Sequence, residues 1–160
     1  MKRGSTNFLK VAVIFLGIPI LALCIFVLPI LAKDAAEGNS EFAYVLYGIV
    51  IVMYVSAIPY FIALYQAFKL LIYIDKNKAF SDISVKSIKK IKHCAITISG
   101  LHLIGLPFLI TFAHLDDAPG VVLVGMLFIF APMVIAVFAA VLQRLLQEAI
   151  TIKSENELTV

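Results

Sequence analysis

The sequence predicts an all-α integral membrane protein with four transmembrane helices and both termini in the cytoplasm. Three observations predict it. Apolar runs of about 18 residues or more, long enough to read as membrane spans, recur along the chain. Hydrophobic residues make up 62% and charged residues 14%, whereas about a quarter of a soluble domain is charged. The basic residues also fall almost wholly on one side of the predicted spans. With no second core and no linker, residues 1–160 read as a single membrane domain.

The first span covers about 8–32. Lys2 and Arg3 ahead of an apolar run resemble a signal peptide, but the run is too long and no clear small-residue cleavage site follows. It reads as an uncleaved span. The second span is 42–68, inside an apolar run reaching 74 that is too long for one crossing; its end is expected to project inward as helix. The third and fourth spans are 93–114 and 121–142.

Orientation follows from charge. With both ends inside, segments 1–10, 69–92 and 143–160 hold twelve of the thirteen Lys and Arg residues, and the outside loops 33–41 and 115–120 hold only Lys33. Short basic loops of this kind stay in the cytoplasm. The predicted location is therefore a cell membrane, crossed several times.

Two segments at the inner face have internal order. In the 69–92 connection, "AFSDIS" breaks the helix and offers Ser81 or Ser84 as an N-cap. Beyond it Val85, Ile88, Ile91 and Ala95 recur at helical spacing, with Lys86, Lys89, Lys90 and His93 on other faces. That pattern predicts a basic amphipathic helix between spans two and three, of the kind that lies along anionic lipid. The 143–160 tail extends the fourth helix: Leu142, Leu145, Leu146, Ala149 and Ile150 form one stripe, and the chain closes on "KSENELTV". This tail is either a solvated, frayed end or a docking motif for a soluble partner.

Chemistry inside the membrane is sparse. No acidic residue lies deep in a span, which weighs against an ion-coupled transporter. His102 falls near mid-depth of the third span, and its expected state is a neutral ring hydrogen-bonded between helices. Neither His93 nor His114 can join it, being about 13 Å and about 18 Å away along one helix. All six tyrosines lie in the second run, and Tyr54 and Tyr60 are deep enough to need partners for their hydroxyls. Ala136 and Ala140 form a small-xxx-small pair that permits close helix contact. Cys24 and Cys94 lie at different depths and cannot bridge. "LGIP" at 16–19 echoes "IGLP" at 104–107. Either this is chance, since proline is common in membrane helices, or two hairpins repeat and Pro19 faces Pro107 across a four-helix bundle. No metalloprotease, phosphate-loop or nucleophile-elbow motif is present, so no enzyme, metal or cofactor is expected.

"IDKNKAFSDISVKSIKKIKHCA" at 74–95, taken with "LLQEAITIKSENELTV" at 145–160, resembles the bacterial four-span family catalogued as domain of unknown function 2975. The matching positions are Asp75, Phe80, Ser81, Glu155, Asn156, Glu157, Leu158 and Thr159, with Glu157 in place of the more usual aspartate. The family has no established activity. Its members are often encoded beside small helix-turn-helix regulators, so the resemblance implies a cytoplasmic transcription regulator as partner, alongside the lipid bilayer. Direct binding to nucleic acid is not expected, because the basic stretch is short and held at the bilayer from both ends.

The leading expectation is therefore a non-enzymatic membrane regulator that docks such a partner through Phe80, Ser81, Lys86, Lys89, Lys90, Glu155, Asn156, Glu157, Leu158 and Thr159. Two alternatives stand beside it. One is a small transporter or channel using the tyrosine stripe, Tyr54 above all, with His102. The other is an immunity protein against a membrane-active compound.

Overall fold

The computed structural model describes residues 3–159. Lys2, part of the orientation argument, and Val160, which closes the tail motif, lie outside them. The described chain is helical throughout: α1 (Arg3–Ala22), a π-helical turn (Leu23–Val27), α2 (Leu28–Glu37), α3 (Ser40–Asp75), α4 (Asp82–Leu115) and α5 (Gly120–Leu158). α1, the π turn and α2 form one rod, so four rods are long and apolar enough to cross a membrane.

They run 34, 36, 34 and 39 residues. At about 1.5 Å per residue each exceeds the ~30 Å hydrocarbon core by about 20 Å or more. The loops shrink accordingly. Most of the expected 33–41 loop is helix, because "LAKDAAE" contains good helix formers; only residues 38 and 39 connect α2 to α3. Asn39 caps α3, its Oδ1 accepting from the Phe42 N–H at 2.9 Å.

α3 and α4 end in the same way. Asn77 (φ 56°) and Asp117 (φ 52°) take the left-handed conformation just past each helix. Lys78 N–H then reaches back to Tyr73 O, and Ala118 N–H to Ala113 O. These are Schellman turns built on Asn and Asp, the side chains best tolerated there after glycine.

Ser81 holds the N-cap position of α4 in extended conformation, but its hydroxyl turns back to the Lys78 carbonyl oxygen at 2.6 Å instead of capping the helix. The expected basic helix between spans two and three is not a separate element. Nothing breaks the helix between Asp82 and Leu115, so residues 82–92 form the first turns of the third rod. Within them Ser84, Val85, Ser87 and Ile88 are buried, and Lys86, Lys89 and Lys90 are exposed.

The rods pack in chain order. The first touches only α3, α3 touches α4, and α4 touches α5; no contact closes the ring among the described residues. The expected four-helix bundle is therefore an open array. Apolar surfaces gain nothing by meeting each other in lipid, so close packing depends on small residues and polar bonds. Glycines let α4 approach both α3 and α5, whereas the outer faces carry bulky side chains such as Phe15 (70% exposed) and Phe138 (71% exposed). Two smaller expectations fall with the bundle. Pro19 and Pro107 sit on rods that do not touch. In α5, Ala136 and Ala139 are buried and Ala140 is exposed, so the small pair is spaced by three residues.

The π turn has a local cause. Leu28 N–H bonds Leu23 O, five residues back. In that register the donor for Cys24 O would be residue 29, a proline with no N–H. Tyr54 of α3 supplies the missing donor, its hydroxyl lying 2.8 Å from Cys24 O. Tyr60 also donates to a carbonyl of the first rod, Leu16 O, at 2.8 Å, one turn before Pro19. Two backbone carbonyls, one of them left without a donor by Pro29, thus tie the first rod to the second. Tyr54→Phe should cost about 1 kcal/mol in a detergent unfolding titration. In a Pro29→Ala background, where residue 29 regains its N–H, the same change should cost almost nothing. Equal losses in the two backgrounds would rule this account out.

Candidate functional site

One end of the array gathers three chain segments. The start of α1 is joined there to the end of α3 by an ion pair between Lys10 and Asp75. The start of α4 is joined to the second half of α5 by Lys92 Nζ donating to Gln143 Oε1 at 3.0 Å. The start of α4 and the later part of α5 pair there as a stalk.

Against this stalk lies a groove of about 610 Å³ lined by Phe80, Ala149, Ile152, Lys153, Asn156 and Glu157. Phe80 comes from the turn before α4, and the others from the end of α5. Ser81 and Ser84 hold that turn in shape: both hydroxyls donate to Lys78 O, at 2.6 and 3.0 Å. Phe80 is thereby left 59% exposed, a large apolar ring facing open space. At the rim Lys153 and Glu157 are 3.9 Å apart, one helical turn from each other. An apolar floor with one amide and one charge of each sign suits an amphipathic peptide segment better than a small polar molecule.

The sequence-derived docking residues divide here. Phe80, Asn156 and Glu157 come together in the groove. Ser81 shapes the turn. Lys86, Lys89 and Lys90 are exposed along α4 and do not line the groove. Glu155, Leu158 and Thr159 are exposed at the end of the chain, where the Thr159 hydroxyl bonds back to Glu155 O at 2.7 Å. Ala149, Ile152 and Lys153 were not singled out for docking, although Ala149, Ile152 and Asn156 recur at i, i+3, i+7 and share one helical face.

The two intramembrane candidates are not brought together. Tyr54 bonds the first rod. His102 lies toward α5, stacked on Phe128 with ring centres 5.3 Å apart and planes 11° from parallel. Its Nδ1 bonds Ile98 O of its own helix, so the expected bond between helices is absent. Ser99, one turn earlier, does cross that interface, donating to Ile129 O at 2.8 Å. Among the described residues no three His, Cys, Asp or Glu side chains converge as a metal site.

Comparison with known proteins agrees with this architecture. The family model described as "Protein of unknown function (DUF2975)" matches residues 30–160, which include the last part of the first rod and all the others. An "Uncharacterized membrane protein YoaS" of Bacillus subtilis (strain 168) is 59% identical over 160 residues, covering 100% of each chain. No solved structure matches the chain. On the family match and this full-length similarity, the chain is a multi-pass membrane protein that belongs to the DUF2975 family.

Proposed function

We propose that this protein is a non-enzymatic regulator of the bacterial cell membrane, with both termini in the cytoplasm, and that it docks a small helix-turn-helix regulator at its inner face. The observation that carries the reading is the groove: Phe80 and the pair Asn156 and Glu157, far apart in the sequence, line one concave surface. The positive-inside distribution of lysines supports a cytoplasmic position for that surface. An amphipathic helix of the partner would lay its apolar side on Phe80 and Ile152, and the exposed Lys86, Lys89 and Lys90 of α4 would favour an acidic partner.

Deleting residues 153–160 should abolish co-purification of the neighbouring regulator while membrane insertion continues. Phe80→Ala should weaken the complex more than tenfold, as expected for an aromatic anchor. Undiminished co-purification after both changes would overturn the proposal. A transport path along the tyrosine stripe has less support, because the Tyr54 and Tyr60 hydroxyls are engaged by the first rod.

A further inference from the structure

The end of the array opposite the stalk carries the reverse charge. Segments 33–41 and 115–120 hold Asp34, Glu37, Glu41, Asp116 and Asp117, with Lys33 as their one Lys or Arg. Such an excess draws cations from solution and repels anions. A groove of about 470 Å³ opens at this end between two helices. Glu41 and Tyr44 line it from the start of α3, and Pro107, Phe108, Thr111 and Leu115 from the end of α4.

Helical spacing and ring pairing fix how the groove runs. Glu41, Tyr44 and Val45 are i, i+3 and i+4 on one face of α3, and Pro107, Thr111 and Leu115 are i, i+4 and i+8 on one face of α4. Phe42 packs on Phe112 with ring centres 5.8 Å apart, and Tyr44 on Phe108 at 5.7 Å, so the two helices are antiparallel there. Glu41 therefore stands level with the last turn of α4, and Pro107 lies deeper. At about 1.5 Å per residue the groove extends about 12 Å along α4. The apolar run of α3 begins at Phe42, so Glu41 marks the polar end of the groove and Pro107 the apolar end. Val45 is buried and Phe108 half-buried, so they form the floor; the remaining lining residues are exposed.

The chemistry of the lining narrows the occupant. No lysine, arginine or histidine lines the groove, so an anion finds no partner. The Glu41 carboxylate only accepts, and it makes no hydrogen bond or ion pair among the described residues. Thr111 donates its one hydroxyl proton to Pro107 O at 2.9 Å, which leaves its own oxygen an acceptor. The Tyr44 and Phe108 rings, tilted by 58°, add the electron-rich faces that attract cations. A calcium or magnesium ion takes about six or more oxygens, and no three His, Cys, Asp or Glu side chains converge among the described residues. What fits is an organic cation whose remainder is apolar.

We propose that this groove binds a single-chain amphiphile with a cationic head, of the alkylammonium class. The ammonium lies against the Glu41 carboxylate and the Tyr44 ring, and the chain runs over Phe108 toward Pro107. The site is separate from the groove at the stalk and does not depend on the docking reading.

The test uses the full chain in nanodiscs of zwitterionic phospholipid, where the bilayer itself has no net charge. The probe is decyltrimethylammonium with a photoreactive diazirine in its chain, and labelled peptides are mapped by mass spectrometry. Labelling should saturate and concentrate in residues 41–45 and 107–115. Unlabelled decyltrimethylammonium should displace the probe, and decanol at the same concentration in the bilayer should not. Glu41→Gln should raise the half-saturating concentration about fivefold, the upper end for one exposed ion pair. Glu37→Gln removes the same charge at the same end but outside the groove, and should change that concentration by less than about twofold. Glu41 is exposed in the first turn of α3, so its substitution spares the packing. The proposal is overturned if labelling does not saturate, or spreads over other exposed residues such as Phe15 and Phe138. It is equally overturned if decanol competes as well as the cation, or if the two glutamate variants behave alike.

Discussion

Gly48→Ala is expected to destabilise the protein by about 1–3 kcal/mol, the usual range for overpacking a close contact. A β-carbon at position 48 would lie 2.6, 2.7 and 2.8 Å from three ring atoms of Phe108. The ring is backed by Tyr44, with ring centres 5.7 Å apart, so relief requires α3 and α4 to move apart. Gly125→Ala is the contrasting case. Its β-carbon would also come within 2.6 Å of a neighbour, but that neighbour is the tip of Leu109, and the next atom is 3.8 Å away. The leucine can rotate, and the gain in helix propensity of about 1 kcal/mol offsets the cost. Unfolding in detergent should therefore separate the two substitutions clearly. Phe108→Leu in the same chain should recover much of the Gly48→Ala loss, because the two positions are directly coupled.

Reversing the charge at Asp75 should have an effect of similar size by a different route. Lys10 and Asp75 connect the first rod to the second, and their side chains are only 22% and 23% exposed. Asp75→Lys sets two ammonium groups against each other where water is scarce. A pair fully removed from water would lose about 3–5 kcal/mol on breaking; partial exposure reduces the expected loss to about 1–3 kcal/mol. The exchange Lys10→Asp with Asp75→Lys should restore most of it. A disulfide engineered between the first rod and α3 should form poorly in the single variant and well in the double one. Equal yields in all three chains would show that the pair does not hold the first rod in place.

How much of this was legible in the sequence depends on the physics behind each feature. Four apolar runs reveal four rods because only length and polarity are needed to see them. The need of Tyr54 and Tyr60 for partners was legible for the same reason, since a phenol hydroxyl in lipid must bond to something. Their actual partners were not, because Cys24 O and Leu16 O are backbone atoms of another rod, and sequence does not show which carbonyls of that rod face α3. The open array was hidden as well. Phe138 at 71% exposure and Ile129 at 7% are equally apolar, and in lipid neither composition nor periodicity separates the face that meets a helix from the face that meets an acyl chain. Helix ends were misplaced because Lys33 and Asp34 continue a helix as readily as they begin a loop.

At the candidate site, the two motifs could be read as neighbours at one face, but the groove could not. It depends on Ser81 and Ser84 both bonding to Lys78 O, which holds the turn so that Phe80 is presented toward α5. The groove between α3 and α4 was less visible still. A glutamate expected in a short loop indicates nothing about the aromatic rings that pack beside it.

The packing of each rod only on its neighbours in the chain bears on how the protein is made. A growing chain releases its helices in order, and here each new helix meets its complete partner surface in the one just released. Each face still open waits only for the next helix in the chain to cover it. Contacts between consecutive segments are also those that form fastest. Assembly in the bilayer can therefore keep pace with synthesis, and an interruption leaves a shorter stack of helices already packed.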